Sequence, residues 1–304
     1  MPTTPFDFSF ADIPDQRGRT IVITGATSGL GFVAARELAK AGAHIIIGAR
    51  NRDKAAHVAA ALAGRGSVEI RPLDTASLDS IAAFAHDVLS EGPRIGALIN
   101  NAGVSVARFD KGVDGTELTW ATNVVGPAAL AERLLPAMTG TDPRIVLVGS
   151  NLSQRTTAVP DLSGIDDASA FAQLGTYRSS KTAAAAVAVD LTDRLEATGS
   201  PIRSVIAHPG VAATAMNQQA TTPMSRVTAR AVDALLARTP DDAARSIVWA
   251  AVAPDVPQRT FIGPRLRRGD HRLHTVPVRG AAADPEFRAQ VRNFVAQRTG
   301  LTVP

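Results

Sequence analysis

The chain has no cysteine among its 304 residues. Disulfides, thiolate catalysis and cysteine-ligated zinc are therefore excluded, and the composition fits a reducing cytoplasm, the expected location. Aromatic residues make up only 4%, and tyrosine occurs once, at position 177. Long apolar runs are also missing. The stretch from Thr182 to Val189 is far short of the ~20 residues a membrane helix needs. The N-terminus lacks the basic and apolar regions of a signal peptide, so no membrane association is expected. Charge of one sign is not in large excess, with 32 Lys and Arg against 28 Asp and Glu. The surplus arginine is dispersed except at Arg265, Arg267, Arg268 and Arg272. That cluster reads as a solvated loop, and no nucleic-acid partner is expected. No His, Asp and Glu group has ligand spacing, so no metal is expected.

What is present is an ordinary globular composition, with 45% hydrophobic and 20% charged residues. Its alanine content suits helices packed closely on a sheet. Apolar runs predict strands near 20–24, 44–50, 68–74, 97–101, 144–150, 202–207 and 260–263. Between them, helical spacing predicts helices near 29–41, 52–63, 77–89, 116–137, 176–198, 241–252 and 283–299. This alternation argues an α/β fold, a Rossmann-like doubly wound parallel sheet of about seven strands with helices on both faces. The strands read as continuous apolar runs because both sheet faces are covered. No repeat or linker interrupts it, so residues 1–304 are read as a single domain. An irregular arm (1–18) precedes it, and two segments (151–175 and 211–240) are placed to cover the site.

The first strand runs into Gly25-Ala26-Thr27-Ser28-Gly29-Leu30-Gly31 and then directly into a helix. Glycines permit a tight turn and close approach of a ligand. The helix N-terminus offers unpaired N–H groups and partial positive charge to a phosphate. Gly25, Thr27, Ser28, Gly29, Leu30 and Gly31 are thus candidate cofactor contacts.

Ligands of open α/β sheets bind outside the carboxyl ends of the strands. Arg50 follows the second strand where an acid would select NAD, and an arginine there can pair with a 2′-phosphate, favouring NADP over NAD. Asp74, with Thr75 beside it, follows the third strand at a place to meet an adenine edge. Asn101, Ala102 and Gly103 follow the fourth, small enough for a ring or ribose to lie against backbone. Ser150 follows the fifth. His208, Pro209, Gly210 and Val211, then Thr214, follow the sixth. Tyr177 and Lys181 are four apart on a helix and share a face. A neighbouring ammonium would lower the phenol pKa, making Tyr177 a general acid for carbonyl reduction or the base for alcohol oxidation. Ser150 can donate to a substrate oxygen that gains negative charge.

These pieces resemble the short-chain dehydrogenase/reductase family. The carriers are Thr24-Gly-Ala-Thr-Ser-Gly-Leu-Gly31, Asp74, Asn100-Asn-Ala-Gly103, Asn123, Ser150, Tyr177-Arg-Ser-Ser-Lys181, and His208-Pro-Gly210 with Thr214. They occur in the family's order over about 20–215. The resemblance implies that Ser150 binds the substrate oxygen and Tyr177 exchanges the proton. Lys181 would hold the nicotinamide ribose and lower the tyrosine pKa, and Asn123 would anchor a water in a proton relay. Arg50 and Asn51 would face the 2′-phosphate, and Asn101 to Gly103 the adenosine side. Pro209, Gly210, Val211 and Thr214 would line the nicotinamide. Gly48-Ala-Arg-Asn51, the long interval from Ser150 to Tyr177, Phe261-Ile-Gly-Pro264 and Ala281-Ala-Ala-Asp-Pro-Glu286 are similar to the retinol dehydrogenase-like branch and its bacterial relatives.

Some positions depart from the family pattern. Gly149 stands where a first serine is usual, which makes Ser153 a backup for Ser150. Ile95-Gly96 replaces an aspartate often found before the fourth strand, which bears on strand anchoring. His208 is read as structural. The expected function is NADPH-dependent hydride transfer to or from a carbonyl or secondary alcohol. The apolar residues of the covering segments (Leu152, Val159, Leu162, Phe171, Met216, Met224) point to an apolar, bulky ketone, aldehyde or alcohol. A non-catalytic NADP(H)-binding or sensing protein is the rival reading. A homodimer or homotetramer is expected through helix faces such as 182–198, with a monomer left open.

Overall fold

The computed structural model describes residues 4–62, 66–210, 238–254, 256–265 and 270–301. Of the residues singled out above, Val211, Thr214, Met216, Met224, Arg267, Arg268 and nearly all of segment 211–240 lie outside them.

Eight strands form one sheet in the order β3-β2-β1-β4-β5-β6-β7-β8. They are β1 (Thr20–Thr24), β2 (His44–Ala49), β3 (Ser67–Pro72), β4 (Ile95–Asn100), β5 (Arg144–Val148), β6 (Arg203–Ala207), β7 (Thr260–Pro264) and β8 (Leu273–Pro277). The first seven are parallel, and β8 pairs antiparallel with β7. The sheet therefore has one strand more than the sequence suggested. β8 lies in a stretch with Pro277 at its end and little apolar patterning. The arm before β1 is not wholly irregular, because Phe6 forms an antiparallel bridge with Leu273 on the β8 edge and its ring lies 4.8 Å from Trp249. An edge strand otherwise exposes unpaired backbone groups.

The helices are α1 (Gly29–Lys40), α2 (Arg52–Ala61), α3 (Leu78–Ser90), α4 (Leu118–Trp120), α5 (Gly126–Leu134), α6 (Asn151–Gln154), α7 (Gln173–Ala197), α8 (Pro240–Val252) and α9 (Pro285–Thr299). Between α4 and α5 the chain winds as a π-helix, Ala121–Val125. Alternate strand residues face opposite sides. Ile21, Ile23, Ile45 and Ile47 pack under α1, α2 and α8. Val22, Ile46, Leu98 and Ile145 pack under α3, α5 and α7. On that second side α9 lies outermost. Its Phe287, Val291, Phe294 and Val295, at helical spacing, cover Trp120 and the alanines 183–186 of α7. The alanine-rich face expected to join copies of the chain is thus occupied by the chain's own last helix.

The amino ends of the central strands explain the departure at Gly96, which lies at the start of β4. Arg19 lies across that glycine, where a Cβ would sit 2.5 Å from its Cγ, and donates to the Gly96 carbonyl at 2.8 Å. The acid appears elsewhere, as Asp142, which pairs with Arg144 and Arg203. Burial pulls the Arg19 pKa down to about 10.

Candidate active site

β1 delivers the glycine turn to the carboxyl edge of the sheet. Gly25 has φ +67°, which favours glycine, and a Cβ on it would lie 2.9 Å from the Ala102 Cα. At Gly31 a Cβ would lie 2.4 Å from the Asn101 amide nitrogen and 2.7 Å from the Gly25 carbonyl. Asn101 closes this cradle, donating to the carbonyls of Thr24 (2.9 Å) and Gly25 (3.1 Å). Thr24 Oγ1 accepts in return from the backbone N–H groups of Asn101 and Ala102. The Asn101 side chain is therefore a strut for the turn. Ser28, exposed at the start of α1, makes no side-chain capping bond. Thr27 and Leu30 beside it are half-buried, and Gly29 is exposed with open space around it. A narrow glycine cradle and a helix start with no side-chain cap fit a dinucleotide phosphate.

Arg50 is exposed just beyond β2, with one guanidinium nitrogen 4.0 Å from an Asp74 carboxylate oxygen. Asn51 caps α2 by accepting from Lys54 N at 2.9 Å, so its oxygen is already engaged. Asp74 accepts from Ala76 N at 2.9 Å. Thr75 is buried, and its carbonyl is so close to Gly126 that a Cβ there would lie 1.9 Å from it.

β5 and α7 bring Ser150 and Tyr177 together, close enough for the serine hydroxyl to act on the phenol. Burial raises the Tyr177 pKa and the Ser150 hydroxyl lowers it, with burial dominant. This differs from the expectation that Lys181 would depress it. Lys181 is itself buried, its ammonium donates to the Val148 carbonyl at 2.9 Å, and desolvation pulls its pKa down to about 8. Ser153, the backup, is fully buried and its hydroxyl donates to the Ser150 carbonyl, which leaves Ser150 as the hydroxyl beside Tyr177. Gly149 has no room for a serine, since a Cβ would lie 2.8 Å from Ile206 Cγ2 and 3.0 Å from a Phe261 ring carbon.

Asn123 lies in the π-helix, a local widening frequent at functional sites. Its Oδ1 accepts from Val104 N and its Nδ2 donates to the Val104 carbonyl, both at 2.9 Å, and to Ser180 Oγ at 3.1 Å. Ser180 donates onward to the Tyr177 carbonyl at 2.8 Å. Gly103 lies between Asn123 and Lys181, where a Cβ would be 3.1 Å from one side chain and 3.3 Å from the other. After β6, His208 is buried and its Nδ1 accepts from Gly210 N at 3.2 Å. It shapes the Pro209–Gly210 turn, and burial pulls its pKa down to about 3. Its neutral, inward ring fits the structural reading.

Sequence reasoning missed Ser180 and Phe109. Ser180 stands in the Tyr177–Lys181 interval, but its partner Asn123 is 57 residues away. Phe109, in the loop after β4, meets Phe171 edge-on at 6.0 Å. Among the described residues no cluster of His, Asp and Glu could hold a metal ion, and no helix is long and apolar enough to cross a membrane.

The short chain dehydrogenase family profile matches residues 19–225. The chain belongs to the short-chain dehydrogenase/reductase family. Mouse polyprenol dehydrogenase is 30% identical over 293 residues, covering 94% of this chain and 85% of that protein. Mouse retinol dehydrogenase 14 is 33% identical over 256 residues, covering 79% and 75%. These relatives place this short-chain dehydrogenase in the retinol dehydrogenase-like branch. A crystal structure of an uncharacterized protein from Mycobacterium paratuberculosis superposes with a TM-score of 0.79 at 34% identity, over 98% of this chain and 100% of that one. Family membership makes the chain an oxidoreductase that works with a nicotinamide dinucleotide on a small molecule.

Proposed function

We propose that this chain is an NADP(H)-dependent oxidoreductase interconverting a carbonyl and an alcohol on an apolar substrate, within a single domain spanning 1–304. The observation that carries this reading is the Ser150–Tyr177 hydroxyl pair beside the buried Lys181. A sensing protein has no use for a proton donor so placed.

Gly25 to Gly31 and the start of α1 would hold the pyrophosphate, Asp74 and Thr75 the adenine end, and Ala102 and Gly103 the adenosine backbone side. Arg50 would meet a 2′-phosphate. Lys181 would reach the nicotinamide ribose, and Pro209 and Gly210, with Val211 and Thr214, would line the nicotinamide. Bound there, NADPH supplies the hydride.

The chain's own part is proton chemistry. In the reductive direction Ser150 donates a hydrogen bond to the carbonyl oxygen as charge grows on it. Tyr177 releases its phenolic proton to that oxygen, giving the alcohol. A phenol kept protonated by burial is ready to donate in this direction. Reversal makes the tyrosinate the base. Asn123, locked to Val104 and Ser180, holds the segment behind Lys181 in register, where the family resemblance puts a relay water.

The test is nicotinamide absorbance over time with NADPH or NADH and a panel of ketones and aldehydes. Tyr177→Phe should lower kcat by about a hundredfold or more while NADPH binding by titration persists. Wild-type turnover that survives the substitution would remove Tyr177 from its role. Tight NADPH binding with no turnover across the panel would favour the sensing alternative.

A further inference from the structure

After β5 the chain forms the short helix α6 and then runs from residue 155 to 172 without helix or strand before α7 begins. This connection leaves from Ser150 and returns to Tyr177, so both hydroxyls of the site stand at its ends. A stretch of that length without secondary structure is uncommon in a compact domain and is usually functional. Holding it in one conformation costs entropy, which contacts along its length must offset.

The strongest polar contact at its middle is made by Asp166. One carboxylate oxygen accepts from the backbone N–H of Glu117 at 2.8 Å, and the other pairs with Arg298 at 2.5 Å. Glu117 is fully buried at the start of α4, where its own carboxylate accepts from Trp120 N at 2.9 Å. α4 runs straight into the π-helix that carries Asn123. Arg298, in the last turn of α9, lies over the Phe294 ring at 4.7 Å and donates to Thr116 Oγ1 at 3.0 Å. Asp166 thus joins three distant parts of the chain. Leu162 and Ile165, just before it, pack on the cluster of Trp120 and the α9 side chains. The neighbouring acid is of another kind, since Asp167 accepts from Ser169 two residues on, a turn within the segment.

We propose that Asp166 is a positioning residue, which latches the segment between Ser150 and Tyr177 onto α4 and α9 before a substrate arrives. This rests on the carbonyl-reductase reading of the Ser150–Tyr177 site and adds to it a residue that acts through the segment. A latched segment is already ordered when the substrate meets it. An unlatched one must be ordered by the substrate, and that cost is taken from affinity. The bond to Glu117 is the stronger half of the latch, because losing it strands a buried N–H. The Arg298 pair, partly exposed, is the weaker half.

The experiment is hydrogen–deuterium exchange read by mass spectrometry, beside steady-state kinetics with NADPH and the panel of ketones and aldehydes. In Asp166→Ala the amides of 157–172 and of Glu117 exchange about tenfold faster, the loss of one charge-assisted hydrogen bond. Asp166→Asn, whose side-chain oxygen still accepts from Glu117, stays closer to the wild type. Arg298→Met removes only the partly exposed pair and gives a rise of about threefold. Arg292→Met breaks a different α9 ion pair, to Asp190 of α7, and leaves exchange in the segment unchanged. In Asp166→Ala the KM for the carbonyl substrate rises about tenfold, while kcat and the Kd for NADPH keep their wild-type values. A general loss of stability would not split KM from kcat in this way. Should Asp166→Ala fail to fold, Arg298→Met carries the same test at its smaller rise. Unchanged exchange in the Asp166 and Arg298 variants, or an equal rise in Arg292→Met, overturns the latch. Faster exchange with an unchanged KM overturns its part in substrate binding. No turnover of any panel member by the wild type overturns the carbonyl-reductase reading, and the exchange data still decide the latch.

Discussion

Asn101 turns its amide inward, onto the carbonyls of Thr24 and Gly25, and leaves Gly31 no room for even one methyl group. Gly31→Ala would push a Cβ to 2.4 Å from that amide and 2.7 Å from the Gly25 backbone. The turn must then shift, and we expect the Kd for NADPH to rise at least tenfold by fluorescence titration, with the fold retained by circular dichroism. Arg50 is a different kind of residue. It is exposed, and among the described residues its ion pair is the long contact with Asp74, at 4.0 Å, which leaves its charge open to a ligand. Arg50→Asp should lower kcat/KM for NADPH by tenfold to a hundredfold, the worth of a charge-assisted pair, and move preference towards NADH. An unchanged NADPH/NADH ratio would remove Arg50 from the cofactor site. At this scale the sequence pointed to the carboxyl edge of the sheet, because glycine turns and strand ends are local features. It could not say that Asn101 and Asn51 spend their polar atoms on the chain itself, since those partners are set by how loops meet.

At the scale of elements, α7 and α9 set the character of this dehydrogenase. The alanine run at 183–186 lets helices approach closely, and α9 takes that place with Phe287, Val291, Phe294 and Val295. Three ion pairs fasten it, Arg288 to Asp193, Arg292 to Asp190, and Arg298 to Asp166. Such partly exposed pairs contribute little each, so the aromatic packing should dominate. Phe294 packs edge-on against Trp120 at 5.5 Å. Phe294→Ala should cost about 3–5 kcal/mol in urea unfolding, whereas Arg292→Ala should cost under about 1 kcal/mol. Comparable losses would mean that charge holds the helix. The periodicity of 283–299 announced a helix but not its place, because an apolar stripe specifies that a surface is buried and not which one. The apolar spacing of 116–137 predicts one regular helix and passes over the π-helix at 121–125, since a one-residue widening leaves little trace in it.

For the whole molecule, two buried bases make stability depend on pH. His208 is neutral when folded, with its pKa near 3 from burial first and then the nearby His274 and Arg238. The unfolded chain binds this proton near the ordinary value of ~6.5. Between those values the unfolded state holds more protons, so stability falls as pH falls. The stability advantage of wild type over His208→Asn should therefore shrink below pH ~6.5, by up to about 1.4 kcal/mol per pH unit, and level off near pH 3. An advantage independent of pH would mean that His208 is solvated or charged. Lys181 acts with the same sign at the alkaline end. Its folded pKa of about 8 lies below the unfolded ~10.4, so its contribution rises with pH between those values.

The sequence by itself determined the alternation of strands and helices, the glycine turn and the family, and it singled out Ser150, Tyr177 and Lys181 as candidates. These are encoded in short-range pattern, such as runs, spacings and single residues at strand ends. Tertiary structure alone decided that Lys181 bonds the Val148 carbonyl, 33 residues away, and that Ser180 joins Asn123 to the helix of Tyr177. It also decided that Asp142 anchors Arg203, that Phe109 meets Phe171, and that α9 closes the face of α7. Each of these joins residues distant in sequence. Their meeting follows from the order in which β3 to β8 are laid side by side, an order that no local spacing of residues records.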